Sequence, residues 1–236
     1  MKQELLEISD GKLYSNQDMA RLSCQDCKGC SSCCQDMGDS IWLDAYDAYQ
    51  LTTNLGVGFE QLLAEKVELH VEDGLILPNL RMVTREDGVQ AQKAATLDVL
   101  PACGFLNDEG RCSIHPFRPG YCRLFPLGRD YDNGKLSYFV LKDACPAPNK
   151  SKVKINKWLG VPRIKDYEKF LVTWHGLTKD LRELLVAQQE NEAVAKAVNL
   201  QFLQIFYLTS YEGADFYEEF ATRMEKMRGF LGALGL

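Results

Sequence analysis

Long apolar runs are missing from this 236-residue chain. The best stretch, residues 202–208, falls far short of the roughly eighteen apolar residues that crossing a bilayer takes. The opening MKQELLEISD is acidic and amphipathic, with no apolar core of the kind a secretory signal carries. Basic charge is not in excess either. Lys plus Arg number 27 against 33 Asp plus Glu, and the net charge of −6 argues against general nucleic-acid binding. There is no internal repeat and no low-complexity tract, and with 46% hydrophobic and 25% charged residues the composition is that of an ordered globular protein. These absences leave a cytoplasmic address as the expectation, and there disulfides rarely persist.

Cysteine, by contrast, is abundant. Five of the nine fall within eleven residues, as Cys24-x2-Cys27-x2-Cys30-x2-Cys33-Cys34. The remaining four, Cys103, Cys112, Cys122 and Cys145, lie in turn-rich sequence far downstream. An odd count leaves one sulfur over in any all-disulfide scheme, and clustered cysteine in a reducing compartment reads as metal-binding or catalytic. The fold must therefore carry two remote stretches to one place.

Between and after these groups the sequence alternates short signals. Ser15 or Asn16 reads as the N-cap of a short helix ending before the cysteine run. Asp44 caps a helix over residues 45–54 that Gly56 closes, and residues 59–67 continue at helical spacing. Residues 67–84 alternate around Gly74 and Pro78 and predict a small antiparallel sheet, while residues 85–95 are polar and turn-rich. Residues 107–110 (Asn-Asp-Glu-Gly) read as a tight turn between Phe105-Leu106 and Cys112-Ser113-Ile114. Pro116, Pro119 and Pro126 break any helix here, leaving loop and short strand, with residues 136–141 a clear strand. Residues 146–157, with two prolines and four lysines, read as a solvated linker. Beyond Asp166 the pattern is helical: Phe170, Leu171, Trp174, Leu177, Leu181, Leu184 and Leu185 form a stripe at 3.6 spacing, and residues 194–207 and 215–231 repeat it around Gly213. The expectation is an α+β fold. A small irregular cysteine-cluster core with short antiparallel strands and flanking helices (residues 1–148) precedes an α-helical C-terminal region (residues 149–236) packing on it.

A Cys-x2-Cys pair turns both sulfurs toward one centre. Two such pairs make a four-thiolate zinc site, and a Cys-x2-Cys-x2-Cys run with a remote Cys-Pro is a spacing found in iron–sulfur ligation. Here the run is Cys27, Cys30 and Cys33, and Cys145-Pro146 supplies the remote pair. The vicinal Cys33-Cys34 cannot easily aim both sulfurs at one tetrahedral ion, so the pair is expected to serve two centres or a cluster edge. Three cysteines at x2 spacing favour a [4Fe–4S] cluster, with zinc the rival reading.

The run Cys27-Lys-Gly-Cys30-Ser-Ser-Cys33-Cys34, then Cys103-Gly-Phe-Leu, then Gly110-Arg-Cys112-Ser-Ile-His-Pro-Phe-Arg118-Pro119-Gly-Tyr-Cys122-Arg123-Leu-Phe-Pro126, and finally Cys145-Pro146 resemble the YkgJ-type CxxCxxCC cysteine-cluster family. That family is described as chelating zinc or iron, and flagellin lysine-N-methylases carry a similar cluster. The resemblance covers about residues 24–148 and implies Cys27, Cys30, Cys33, Cys34, Cys103, Cys112, Cys122 and Cys145 as metal ligands. Cys24 is additional to the pattern. His115 stands where the family often has tyrosine, which makes it a poor ligand candidate.

Arg111, Arg118, Arg123 and Arg129 lie in or beside the second cysteine group. Arg118 and Arg123 are the candidates for a second shell around the cofactor, balancing thiolate charge or receiving an anion. His70 and His175 read as packed or surface side chains, and Gly56-x-Gly58 as a helix cap and turn rather than a nucleotide loop. Three functions are compatible with these residues. One is a metal- or cluster-binding module. The second is an S-adenosylmethionine-dependent protein lysine methylase, implied by the resemblance alone, because the Cys-x3-Cys-x2-Cys run of radical enzymes is absent. The third is a structural zinc protein whose acidic helical tail docks a protein partner or substrate.

Overall fold

The computed structural model describes residues 3–23, 30–84, 100–146, 149–213 and 215–236. In chain order the elements are α1 (Gln3–Ile8), β1 (Met19–Ser23), a single 3-10 turn (Ser32–Cys34), α2 (Ala45–Leu55), α3 (Phe59–Glu65), β2 (Val67–Glu72), β3 (Leu75–Leu80), β4 (Met82–Val83) and β5 (Ala102–Cys103). A second 3-10 turn (His115–Phe117) leads to α4 (Gly120–Leu124), a one-turn helix that fits between Pro119 and Pro126 where the sequence predicted none, and then to β6 (Leu127–Asp132), β7 (Lys135–Val140), β8 (Ser151–Lys154), α5 (Ile155–Leu159), α6 (Ile164–Ala187), α7 (Glu192–Leu203) and α8 (Phe216–Ala233). The fold is mixed α+β, with short antiparallel strand pairs and a helical C-terminal region from α6 to α8. No helix among the described residues is long and apolar enough to cross a membrane. The residues divide into two compact units: Met1–Met37, Val83–Ser113 and Gly120–Thr173 form one, and Gly38–Met82, Ile114–Pro119 and Trp174–Leu236 the other.

The first unit is built on two strand ribbons. β6 and β7 pair from Leu127↔Val140 to Asp132↔Lys135, closed by Asn133-Gly134 with both residues at positive φ, the turn that matches strand twist. Gly128 admits the Phe139 ring so closely that a Cβ would lie 2.1 Å from it. Residues 9 and 14 bridge Leu141 and Tyr138 on the far side of β7. The fully buried Tyr138 donates its hydroxyl to Glu168 Oε1 at 3.0 Å, and Asn16 Nδ2 donates to the other oxygen at 2.6 Å. That ties the amino-terminal segment, the hairpin and the start of α6 to one carboxylate.

The second ribbon overturns two expectations. Residues 19–23 are a strand rather than the end of a helix, and Ser151–Lys154 is its antiparallel partner rather than a linker. The cause is period-two burial: Ala20 and Leu22 point inward while Met19 and Arg21 face solvent. The lysine-rich segment reads as polar because only Val153 of β8 is shielded, but its backbone completes the ladder and Ile155 and Leu159 of α5 bury directly after it. Of residues 146–157, positions 147 and 148 lie outside the described residues, as do 85–95.

The second unit holds the aromatic core. Asp44 caps α2 through Asp47 N–H at 2.9 Å while Asp47 returns a carboxylate to Asp44 N–H at 3.2 Å, a reciprocal capping box. Gly56 ends the helix at φ 67°. β2 and β3 pair around Asp73-Gly74, and Ile41–Leu43 continues the sheet along β3 through Leu80 N–H to Ile41 and Leu43 N–H to Pro78. Along α6 to α8, Trp174, Phe202, Phe206, Tyr207, Phe216 and Phe220 interlock with ring centroids about 5 to 6 Å apart. α7 runs into a π-helical turn (Gln204–Leu208) whose end is capped by the buried Arg223, donating to the Ile205, Thr209 and Ser210 carbonyls and stacking 3.7 Å from the Tyr211 ring centroid.

Candidate metal centre

Seven of the nine cysteines are described, and all seven belong to the first unit. Cys24 and Cys27 lie outside the described residues. No disulfide joins any of the seven.

The vicinal pair is delivered by a single 3-10 turn over Ser32–Cys34, in which Cys34 N–H bonds the Ser31 carbonyl at 2.8 Å. Gln35 fastens that turn by donating Nε2 to Ser31 Oγ at 2.8 Å. The chain then runs antiparallel to β5: Gln35 bridges Ala102, and Asp36 N–H reaches the Pro101 carbonyl at 2.7 Å. Cys103, the next residue of β5, is buried. Two sequence-distant cysteine groups thus meet through backbone hydrogen bonds.

Cys112 is returned to the same place by a hairpin. Gly110 N–H bonds Asn107 O at 3.0 Å with Gly110 at φ 70°, Asn107 Oδ1 accepts from Arg111 N–H at 2.7 Å, and Leu106 bridges Cys112. Ser113 N–H and Oγ then both donate to the Phe105 carbonyl. The Asn-Asp-Glu-Gly turn read from sequence is present where it was expected.

The result is electrostatic as well as spatial. A hydrogen bond with the Cys33 thiol, burial, and the proximity of Cys33, Cys103 and Cys112 push the Cys34 thiol well above the ordinary thiol range. Four thiols from three chain segments therefore oppose one another's ionisation. Such a set exists as thiolates only beside a positive centre, which is the chemistry of a soft cation or an iron–sulfur core. The donor set fits a soft metal in kind. Among the described residues, no three Cys, His, Asp or Glu side chains stand at the spacing of a closed metal site.

The other described candidates differ in exposure and partners. Cys30 is exposed, its thiol 3.6 Å from Ser32 Oγ. Cys122 is half-buried on α4, whose end is held by Trp158 Nε1 on the Phe125 carbonyl at 3.2 Å. Cys145 is half-buried, and its carbonyl accepts from Lys150 Nζ at 2.7 Å. Lys150 went unrecognised in the sequence because it sits in what reads as a linker. None of Cys30, Cys122 and Cys145 figures among the groups that shift Cys34.

The arginines differ in what they touch. Arg123 is half-buried in the last turn of α4, directly after Cys122. Arg129 packs between aromatic rings, donating to Tyr167 Oη at 3.1 Å with its guanidinium 5.8 Å from the Tyr121 centroid. Arg118, in the second unit, lies 2.7 Å from His115 Nε2. A guanidinium only donates, so that nitrogen is the acceptor and its lone pair is engaged. His70 pairs with Glu68 at 3.2 Å, burial lowers the His175 pKa, and neither figures among the groups that shift Cys34.

Compared with known families, residues 26–146 match CxxCxxCC, described as a "Putative zinc- or iron-chelating domain". No curated protein and no solved structure gives a match.

Proposed function

The chain belongs to the CxxCxxCC family of zinc- or iron-chelating domains, and from that premise we propose that it holds a [4Fe–4S] cluster, whose four irons take four thiolates drawn from Cys27, Cys30, Cys33, Cys34, Cys103, Cys112, Cys122 and Cys145. The observation that carries the reading is the meeting of Cys33, Cys34, Cys103 and Cys112 at one thiol whose ionisation they jointly suppress. A bound cluster would supply one-electron chemistry. The chain's own part is to bring the sulfurs together: the 3-10 turn presents the vicinal pair, the Gln35–Ala102 bridge sets its distance from β5, and the 107–110 turn returns Cys112. Cys103 is the buried member of the group. Arg123, adjacent to Cys122, balances the thiolate charge.

Zinc is the second reading: thiolate sulfur suits zinc as well as iron, and the family description names both metals. Oxygen-free purification followed by an absorption spectrum and metal analysis separates the two. Iron with broad visible absorption supports the cluster, and colourless protein with stoichiometric zinc supports the rival. Serine at Cys112 is expected to remove whichever metal is present, and retention would exclude Cys112 from the ligand set. Retention in Arg123→Ala would remove that arginine from the account. S-adenosylmethionine binding, implied by the resemblance to the methylases, is tested by calorimetry with that compound.

A further inference from the structure

We propose that the outer edge of β2 pairs with the same edge of a second copy of this chain, antiparallel and centred on Leu69. The hairpin leaves that edge open. Glu72 and Leu75 close a two-residue turn, so the backbone groups of Glu68, His70 and Glu72 bond β3, and those of Leu69 and Val71 point away. Pro78, which has no N–H, sits opposite Leu69, as that alternation requires. The far edge of β3 is already used: Leu80 N–H bonds Ile41, Pro78 accepts from Leu43, and Ile76 N–H donates to Asn199 Oδ1 at 2.7 Å. Among the described residues no other backbone bond engages Leu69 or Val71. Their side chains share one face and are 45% and 68% exposed. An open edge with two exposed aliphatic residues and no proline is the surface that proteins normally blunt unless a strand covers it.

The occupant follows from the charge pattern of Lys66-Val67-Glu68-Leu69-His70-Val71-Glu72. With Leu69 opposite Leu69 of the second copy, Val67 faces Val71 on the apolar side. On the other side Glu68 faces His70 and Lys66 faces Glu72, each twice by symmetry. Moving the centre one residue to His70 puts Glu68 opposite Glu72. Moving it to Glu68 puts Glu68 against itself and Lys66 against His70. Of these adjacent registers, the Leu69 register alone sets Lys66 against the Glu72 carboxylate and leaves no carboxylate opposite a carboxylate, and cross-strand pairs are what fix register. Val67 O already accepts from Arg81 Nη2 at 3.1 Å, so the strongest new bonds form at Leu69 and Val71.

Sedimentation velocity on the full chain, from micromolar to near-millimolar, is the test. The expected result is a reversible dimer that Val71→Lys abolishes. Lys66→Glu should weaken it by about tenfold, because the change is felt twice across the two-fold, and the double variant Lys66→Glu/Glu72→Lys should restore it. Glu72 also pairs with Arg182 within the chain at 2.8 Å, so Arg182→Gln reports the loss of that pair alone and should leave the dimer constant unchanged. Circular dichroism on each variant confirms the fold. A monomer at every concentration overturns the proposal, as does a dimer indifferent to Val71→Lys or one that the double variant fails to rescue. Preferential capture of an unrelated edge-strand protein over self-association would also overturn it.

Discussion

Metal binding to this sulfur group must expel protons, and Cys34 gives that a measurable slope. Its thiol is held protonated by the Cys33 hydrogen bond, by burial and by Cys103 and Cys112 close by, so its folded pKa lies above the ordinary 9.0. Up to pH 9 a metal ion that takes Cys34 as a ligand therefore displaces one whole proton there. The apparent affinity gains a factor of ten per pH unit from this residue, about 1.4 kcal/mol. An ordinary thiol would stop contributing as it ionises near its own pKa, whereas Cys34 continues. In Cys34→Ala the slope of log affinity against pH should fall by one. Competition of zinc with a chromophoric chelator over roughly pH 6 to 9, starting from metal-free protein, reads that slope directly. Proton release in weak buffer counts the same proton. Identical slopes in parent and variant would refute the reasoning. The metal-free chain gives the opposite sign: because the folded pKa is the higher one, stability is intact below about pH 9 and falls above it by about 1.4 kcal/mol per pH unit, as the unfolded chain gives up a proton that the fold retains.

Gly110→Val should strain the turn that returns Cys112, because Gly110 sits at φ 70°; a cost of about 1–2 kcal/mol would weaken zinc affinity by roughly tenfold in the same competition assay. Asp44→Ala removes the partly sequestered capping box of α2 and should cost about 1–2 kcal/mol, seen as a lower urea midpoint with unchanged zinc affinity. Arg223→Met leaves the Ile205, Thr209 and Ser210 carbonyls without that donor and Glu219 without its ion-pair partner, and should cost about 3–5 kcal/mol in the same denaturation.

What the sequence made legible were features whose cause is local. Asp44 and Gly56 announce α2 because capping chemistry is written in adjacent residues, and Asn107 to Gly110 announces its turn for the same reason. The stripe from Phe170 to Leu185 announces α6 by spacing alone. β1 was hidden because a five-residue strand with Met19 and Arg21 exposed offers too short an alternation to read, and its partner β8 lies well over a hundred residues away. β8 was hidden because its lysines face outward and only the pairing explains it. At the site, the spacing of cysteines was visible, and so was the need for two stretches to meet. The agents of that meeting were not: Gln35, Ala102 and Lys150 carry no signal until the chain is folded.

The most direct measurement is the iron and zinc content per chain of protein purified without oxygen, taken alongside Cys103→Ala and Cys112→Ala variants shown to be folded. The account predicts near-stoichiometric metal in the parent and its loss in both variants, because each removes a sulfur from the group that surrounds Cys34. A folded parent with neither metal, or variants that keep the parent's content, would contradict it.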